Sequence, residues 1–201
     1  SAAMPARTDE VTLIQGRVTS ALDGSGVTGV IVNVLDEYGM YVLAQAYTDA
    51  EGNYSIEFYY APTMVKVEFY PTDSIHVREW YNNQPSAATA NLVSVSAGAV
   101  TPGINAALEP GASISGQVTR TSDGAALEDI YVLCVTADTN ETLGSAYTDA
   151  SGNYTIDSLP AGNYKIYFQS WAEWVGNGEY VNEWYQDKAD FATADPLTLA
   201  V

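Results

Sequence analysis

The sequence is poor in the residues from which reactive sites are built. Its 201 residues hold one cysteine, Cys134, and one histidine, His76. A single cysteine excludes an intrachain disulfide, and one residue of each kind excludes a zinc finger or a Cys/His catalytic pair within one domain copy. Cations are scarce too: seven Lys and Arg face 25 Asp and Glu, a formal net charge of -18. A surface this negative repels phosphate backbones and anionic headgroups, so nucleic acid and acidic lipid are excluded as partners. No stretch approaches the roughly 20 apolar residues of a membrane-spanning helix, so no membrane insertion is expected. No stretch holds a 3.6-residue apolar period long enough to predict a helix. No charged-then-apolar leader opens the chain, so a secretory leader is expected to have been removed already. Residues 1–10 are expected to be a tail or an expression remnant.

What is plentiful belongs to sheets and turns. With 15 Tyr, 16 Gly and 47% hydrophobic residues, the chain can bury a core built from aromatic and β-branched side chains. It is also a repeat. Gln15-Gly16-Arg17-Val18-Thr19 returns as Ser115-Gly116-Gln117-Val118-Thr119, and Tyr47-Thr48-Asp49-Ala50 returns as Tyr147-Thr148-Asp149-Ala150. Glu79-Trp80-Tyr81 returns as Glu183-Trp184-Tyr185. A period near 100 residues is a duplicated domain, since solenoid units run to roughly 20–50 residues. The join falls at Glu109-Pro110-Gly111-Ala112, where Pro and Gly interrupt apolar runs. The boundaries are therefore 11–108 for repeat 1 and 109–201 for repeat 2.

Within each repeat the runs alternate or are short and apolar: Ile14/Gly16/Val18, Val30 to Val34, Met64 to Phe69, and their copies. Asp23-Gly24 and Asp123-Gly124 are turn dipeptides. Asp49 to Tyr54 reads as a hairpin bend, with Tyr47 and Ile56 as apolar flanks on one face. About seven strands per repeat, with turns every 8–12 residues, predict an all-β protein of two tandem Greek-key β-sandwiches.

The signature Thr148-Asp149-Ala150-Ser151-Gly152-Asn153-Tyr154, followed by Leu159-Pro160-Ala161-Gly162-Asn163-Tyr164-Lys165, resembles the carboxypeptidase regulatory-like domain. That family is related in fold to collagen-adhesin B-type repeats and to prealbumin-like, Ig-like and starch-binding-like sandwiches. Repeat 1 keeps the first element and replaces the second by Ala61-Pro62-Thr63-Met64-Val65-Lys66. The resemblance implies a stalk, spacer or accessory module on secreted or surface proteins, with no shared catalytic residues. Adhesin B-type repeats often carry a Lys–Asn isopeptide crosslink from a first-strand Lys. Here the first strands hold Arg17 and Gln117, while Lys66 and Lys165 lie on a late strand, so no crosslink is expected.

Candidate sites are few. Asp49, Glu51 and Asp149 offer oxygens to a calcium ion, but their loops lack the spread acids and terminal bidentate Glu of an EF-hand. Turn chemistry accounts for them instead, and no cofactor is expected. Trp80, Tyr81, Trp184 and Tyr185 recur with the fold and are expected to fill the space between sheets. The aromatics that do not recur are better binding candidates. Trp171, Trp174 and Tyr180, with Glu173 and Glu179, surround Gly176-Asn177-Gly178 in a segment longer than its repeat 1 counterpart. No catalytic residues are singled out: there is no G-x-S-x-G elbow. His76 reads as a surface or turn residue, and Cys134 as a small buried hydrophobe.

The expected role is a non-catalytic extracellular or cell-surface module, a spacer or presentation segment beside further domains of a longer parent chain. Its partners would be those domains or a surface protein. The alternative is a carbohydrate-binding accessory module that takes a polysaccharide on the repeat 2 aromatics. One asymmetry bears on the ends. Gly103-Ile104-Asn105-Ala106-Ala107-Leu108 in repeat 1 has no counterpart before Val201. Either repeat 2 lacks its last strand, the expectation adopted here, or Ile104 to Leu108 begins repeat 2.

Overall fold

Apolar residues every second position along Ile14 to Val18, with Thr12 and Ser20 continuing the same buried face, make one long strand with a single inward side. The computed structural model describes residues 7–60, 63–170 and 180–200. This first strand, β1, spans Arg7–Ser20. It thus begins inside the segment 1–10 that the sequence suggested was a tail. Its start is held by backbone pairing of Arg7 with Tyr60, ahead of a register shift before Thr12.

Two units divide the chain, Ser1–Pro110 and Gly111–Val201. In unit 1, β1 pairs antiparallel with β4 (Asn53–Tyr60). On its other edge lie β8 (Val100–Thr101) and β9 (Ala106–Leu108), both parallel to it. The facing sheet runs β3 (Val42–Tyr47), β2 (Ile31–Leu35), β5 (Met64–Tyr70). Two short strands, β6 (Glu79–Trp80) and β7 (Val93–Ser94), share the far edge of β5. Between the sheets, Ile14, Val18, Ile56 and Phe58 meet Val32, Val34, Val67 and Phe69, joined by Ile104 and Leu108. This is a β-sandwich core. Because β9 pairs with β1, Ile104 to Leu108 belongs to unit 1.

Unit 2 repeats the plan. Strand β10 (Ala112–Gln117) pairs with β13 (Asn153–Leu159). Strands β12 (Thr142–Tyr147), β11 (Tyr131–Thr136) and β14 (Gly162–Gln169) form the facing sheet, edged by β15 (Glu183–Trp184) and β16 (Leu197–Leu199). Even register is copied: Gly16 faces Tyr54 as Gly116 faces Tyr154, and Val32 faces Phe69 as Val132 faces Phe168. No helix occurs among the described residues, and the all-β reading of two Greek-key sandwiches holds.

The hairpin reading does not. Strands β3 and β4 lie in different sheets, as do β12 and β13. Tyr47 is 61% exposed while Ile56 is 1% exposed, so the flanks do not share a face. The reason is Thr48, whose buried hydroxyl donates to Val27 O at 2.6 Å and accepts from Val30 N at 2.9 Å. That anchor turns the chain from one sheet to the other. Thr148 makes the same pair of bonds with Leu127 and Ile130.

Candidate functional site

Asp49 Oδ1 accepts the backbone N–H of Glu51 at 3.0 Å and of Asn53 at 2.7 Å. Asp149 Oδ1 accepts Ser151 and Asn153 N–H at 2.8 Å each. The Asn153 and Ser151 donors hold the Asp149 carboxyl below the ordinary carboxylate range, against the opposing effect of desolvation. These carboxylates cap their own loops. Among the described residues no three His, Cys, Asp or Glu gather as a metal site.

The recurrent Trp pair is buried, but not between the sheets as the sequence suggested. Trp80 stands opposite Glu68 in the strand register, on the face away from Phe69. It packs with Leu35, Ala87 and Ala90 in a satellite cluster. Trp184 packs likewise with Val135, Ala194 and Phe191. The strand alternation therefore sends Tyr81 and Tyr185 toward the main cores instead. Each Trp exchanges two backbone hydrogen bonds across a tight turn, with Gln84 and with Lys188. Asn82, Asn83, Gln186 and Asp187 supply the positive φ angles of those turns. Lys66 Nζ donates to Ala87 O at 2.6 Å and Lys165 Nζ to Phe191 O at 2.7 Å, tying each following loop to its sheet.

The same alternation sends Glu79 inward, opposite Phe69. Its Oε1 has no hydrogen-bond partner among the described residues. Burial, with Glu109 adding like-charge repulsion, pushes its carboxyl up to about 7. Glu183, its counterpart, is raised in the same direction by burial and by Asp187. Cys134 is buried beside Val132 and Ile166, and desolvation pushes its thiol up to about 12, so it is a poor nucleophile.

Sequence reasoning missed one constellation altogether. His76 is buried, not a surface residue. Its Nδ1 lies 2.8 Å from Asp73 Oδ2 and its Nε2 lies 3.1 Å from Ser20 Oγ. Burial opposes ionisation of Asp73, yet hydrogen bonds from His76 and Ile75 outweigh it and keep the carboxyl below its ordinary range. The connectivity is that of a Ser-His-Asp triad, but the setting is not. Ser20 is 5% exposed on a strand paired with Leu108, and its Oγ already accepts Leu22 N–H at 3.3 Å. The line therefore reads as a tether between the 73–76 turn and β1. In unit 2 it is absent by substitution, with Arg120 and Tyr180 at the matching places. No spacing motif links residues 20, 73 and 76, so no sequence signal could have found it.

Of the non-recurrent aromatics, Trp171 and Trp174 lie outside the described residues, as do Glu173 and Glu179. Tyr180 is described. It stands at the rim of a groove of about 380 Å³ with Val118, Leu127, Ile130, Phe168 and Arg120.

Residues 113–171 match the family model of the carboxypeptidase regulatory-like domain. No curated protein matches the chain. Among solved structures it is similar to the Bacillus anthracis TIE protein, at 13% identity and a TM-score of 0.37, over 80% of this chain and 28% of that one. It is similar to a streptococcal ancillary pilin at 11% identity and 0.42, over 96% and 60%. The shaft pilin SpaA from Lactobacillus rhamnosus GG follows at 10% identity and 0.35, over 89% and 93%. The chain thus spans less than two thirds of the first two. In its second repeat, from β10 through β14, the chain is similar to the carboxypeptidase regulatory-like domain.

Proposed function

We propose that this chain is a non-catalytic tandem β-sandwich module, a spacer or presentation segment of a larger secreted or cell-surface protein. One observation carries the reading: three pairs of polar side chains that recur in both repeats are bonded to the backbone of their own unit. Asp49 and Asp149 cap their own loops, Thr48 and Thr148 pin the sheet-to-sheet corners, and Lys66 and Lys165 hold the loops after the Trp turns. A duplicated unit whose repeated chemistry supports its own backbone is built to persist, not to turn over a substrate. Protease shaving of intact producing cells tests this. An antibody to the chain should detect a polypeptide larger than 21.5 kDa that shaving removes; a protease-shielded intracellular product would overturn the reading. The carbohydrate-binding alternative draws on Tyr180 at the groove rim. Polysaccharide binding abolished by Tyr180→Ala or Trp171→Ala would favour it.

A further inference from the structure

One recurrent side chain is neither buried nor bonded. Tyr47 is 61% exposed, and no hydrogen bond or ring contact among the described residues engages it. It stands opposite Ile31, and Ile31 stands opposite Tyr70, so the three form one row across β3, β2 and β5. Their strand neighbours Val32 and Phe69 enter the core, so the alternation turns this row to the outer face of the sheet. Tyr70 is 46% exposed there. With Ile31 between them, the two tyrosines stand two strand spacings apart, about 10 Å.

The row beside it is polar: Gln45, Asn33 and Glu68. Glu68 Oε2 accepts Asn33 Nδ2 at 2.9 Å, and its Oε1 lies 3.5 Å from Arg78 Nη1. The carboxylate charge is thereby balanced, while Asn33 Oδ1 and the Gln45 amide have no partner among the described residues. Past the β3 edge, Tyr47 borders a shallow groove of about 450 Å³ lined by Gln15, Asp49, Asn53 and Ser55. In unit 2 the same two rows read Tyr147, Tyr131, Gln169 and Ser145, Leu133, Tyr167. There Tyr131 packs on Tyr147, and Tyr167 on Trp184, with ring centroids 4.8 Å apart in each pair. The rings engage one another, and Leu133 and Tyr167 replace the amide and carboxylate.

We propose that this outer face of unit 1 binds a neutral polysaccharide, its chain laid across the strands along the Tyr47–Ile31–Tyr70 row. The apolar face of a sugar ring stacks on an aromatic ring, and two such rings hold an extended glycan at two points. Its hydroxyls pair with Gln45, with Asn33 and with the polar groove past β3. Charge selects the neutral class. The two rows hold no Lys or Arg, the neighbouring Arg78 is already paired with Glu68, and a net charge of -18 repels uronates and sulfates. A protein partner fits less well, because Ile31 is the single aliphatic side chain on the two rows. A second copy of this chain is repelled by the same charge. The site goes beyond the spacer reading, which needs no ligand, and lies in a different unit from Tyr180.

The test is affinity electrophoresis of the full chain in native gels containing hydroxyethylcellulose, soluble starch or galactomannan, with the polyuronate alginate as the anionic control. At least one neutral gel should retard the chain, and alginate should not. Tyr47→Ala and Tyr70→Ala should each weaken binding about tenfold, the loss of one stacked ring. Both side chains are exposed, so the melting temperature should hold. Tyr47→Phe keeps the ring and should bind as the parent does, as should Tyr147→Ala and Tyr180→Ala. Absence of retardation in every neutral gel overturns the proposal, and so does equal retardation by alginate. Full affinity in both Tyr47→Ala and Tyr70→Ala overturns it too. Binding abolished by Tyr180→Ala alone also overturns it, while leaving the carbohydrate alternative standing in unit 2.

Discussion

The hydroxyl of Tyr54 donates to the carbonyl of Ile104 at 2.5 Å, joining β4 to the segment that leads into β9. Burial pushes that phenol well above its ordinary range, so it stays protonated and able to donate. Tyr154 occupies the same register position in unit 2 without such an acceptor among the described residues. The two tyrosines therefore answer differently to the same change. Tyr54→Phe should destabilise unit 1 by about 1 kcal/mol, the net worth of one hydrogen bond plus an orphaned carbonyl. Tyr154→Phe should leave unit 2 nearly unchanged. Urea denaturation of the two variants checks the contrast.

Gly16 and Gly116 make a second matched pair. A methyl on Gly16 meets the Ile104 backbone, which cannot yield without lifting β9, whereas on Gly116 it meets the hydroxyl end of the Tyr154 side chain at 2.8–3.0 Å. Gly16→Ala should lower the melting temperature of the chain more than Gly116→Ala, measured by differential scanning calorimetry. Equal losses would mean that β9 is not held against Gly16.

Glu79 gives a pH signature. Its carboxyl is raised from 4.5 to about 7 in the folded chain, so the folded state holds the proton more tightly than the unfolded one. The resulting stabilisation is full below pH 4.5, declines as pH rises and is gone above about 7. Glu79→Gln keeps a neutral side chain throughout. The stability of the variant relative to the parent should therefore rise from pH 4.5 to 8, followed by denaturant midpoints at each pH. A constant difference would show that the carboxyl is ordinary.

How much of this was legible in the sequence depends on the range of the interaction. Turn chemistry at Asp49 and Asp149 is local, so the bend itself was legible, although the hairpin expected around it does not form. The duplication was legible because register, burial and capping recur with it. Sheet assignment was not. Tyr47 and Ile56 flank a short polar turn, as hairpin strands do, and only the buried hydroxyl of Thr48 sends the chain to the opposite sheet. The direction of Trp80 was misread for a related reason, since a two-residue strand carries too little alternation to show its face. The Ser20–His76–Asp73 line joins residues up to 56 positions apart with no common motif.

That line also allows a direct check on the non-catalytic reading. Incubation with a fluorophosphonate, which labels activated serines by displacement of fluoride, should leave the intact mass unchanged because Ser20 is buried on β1, where it pairs with Leu108 of β9. A phosphonyl adduct mapped to Ser20 would overturn the non-catalytic reading.

The most direct measurement is hydrogen exchange resolved along the chain, because the account rests on one repeated design in which β9 covers the edge of β1 while no strand among the described residues covers that edge of β10. Amides at 17–21 include the Ala21 N–H bonded to Leu108 O at 2.9 Å and should be strongly protected. Amides of Gln117, Thr119 and Thr121 should exchange markedly faster than those of Arg17, Thr19 and Ala21, while Val118 and Arg120, bonded to Gly152 O and Ala125 O, and the equivalent inner-sheet segments 32–34 and 132–134 match their counterparts. Equal protection at 17, 19 and 21 and at 117, 119 and 121 would contradict the account.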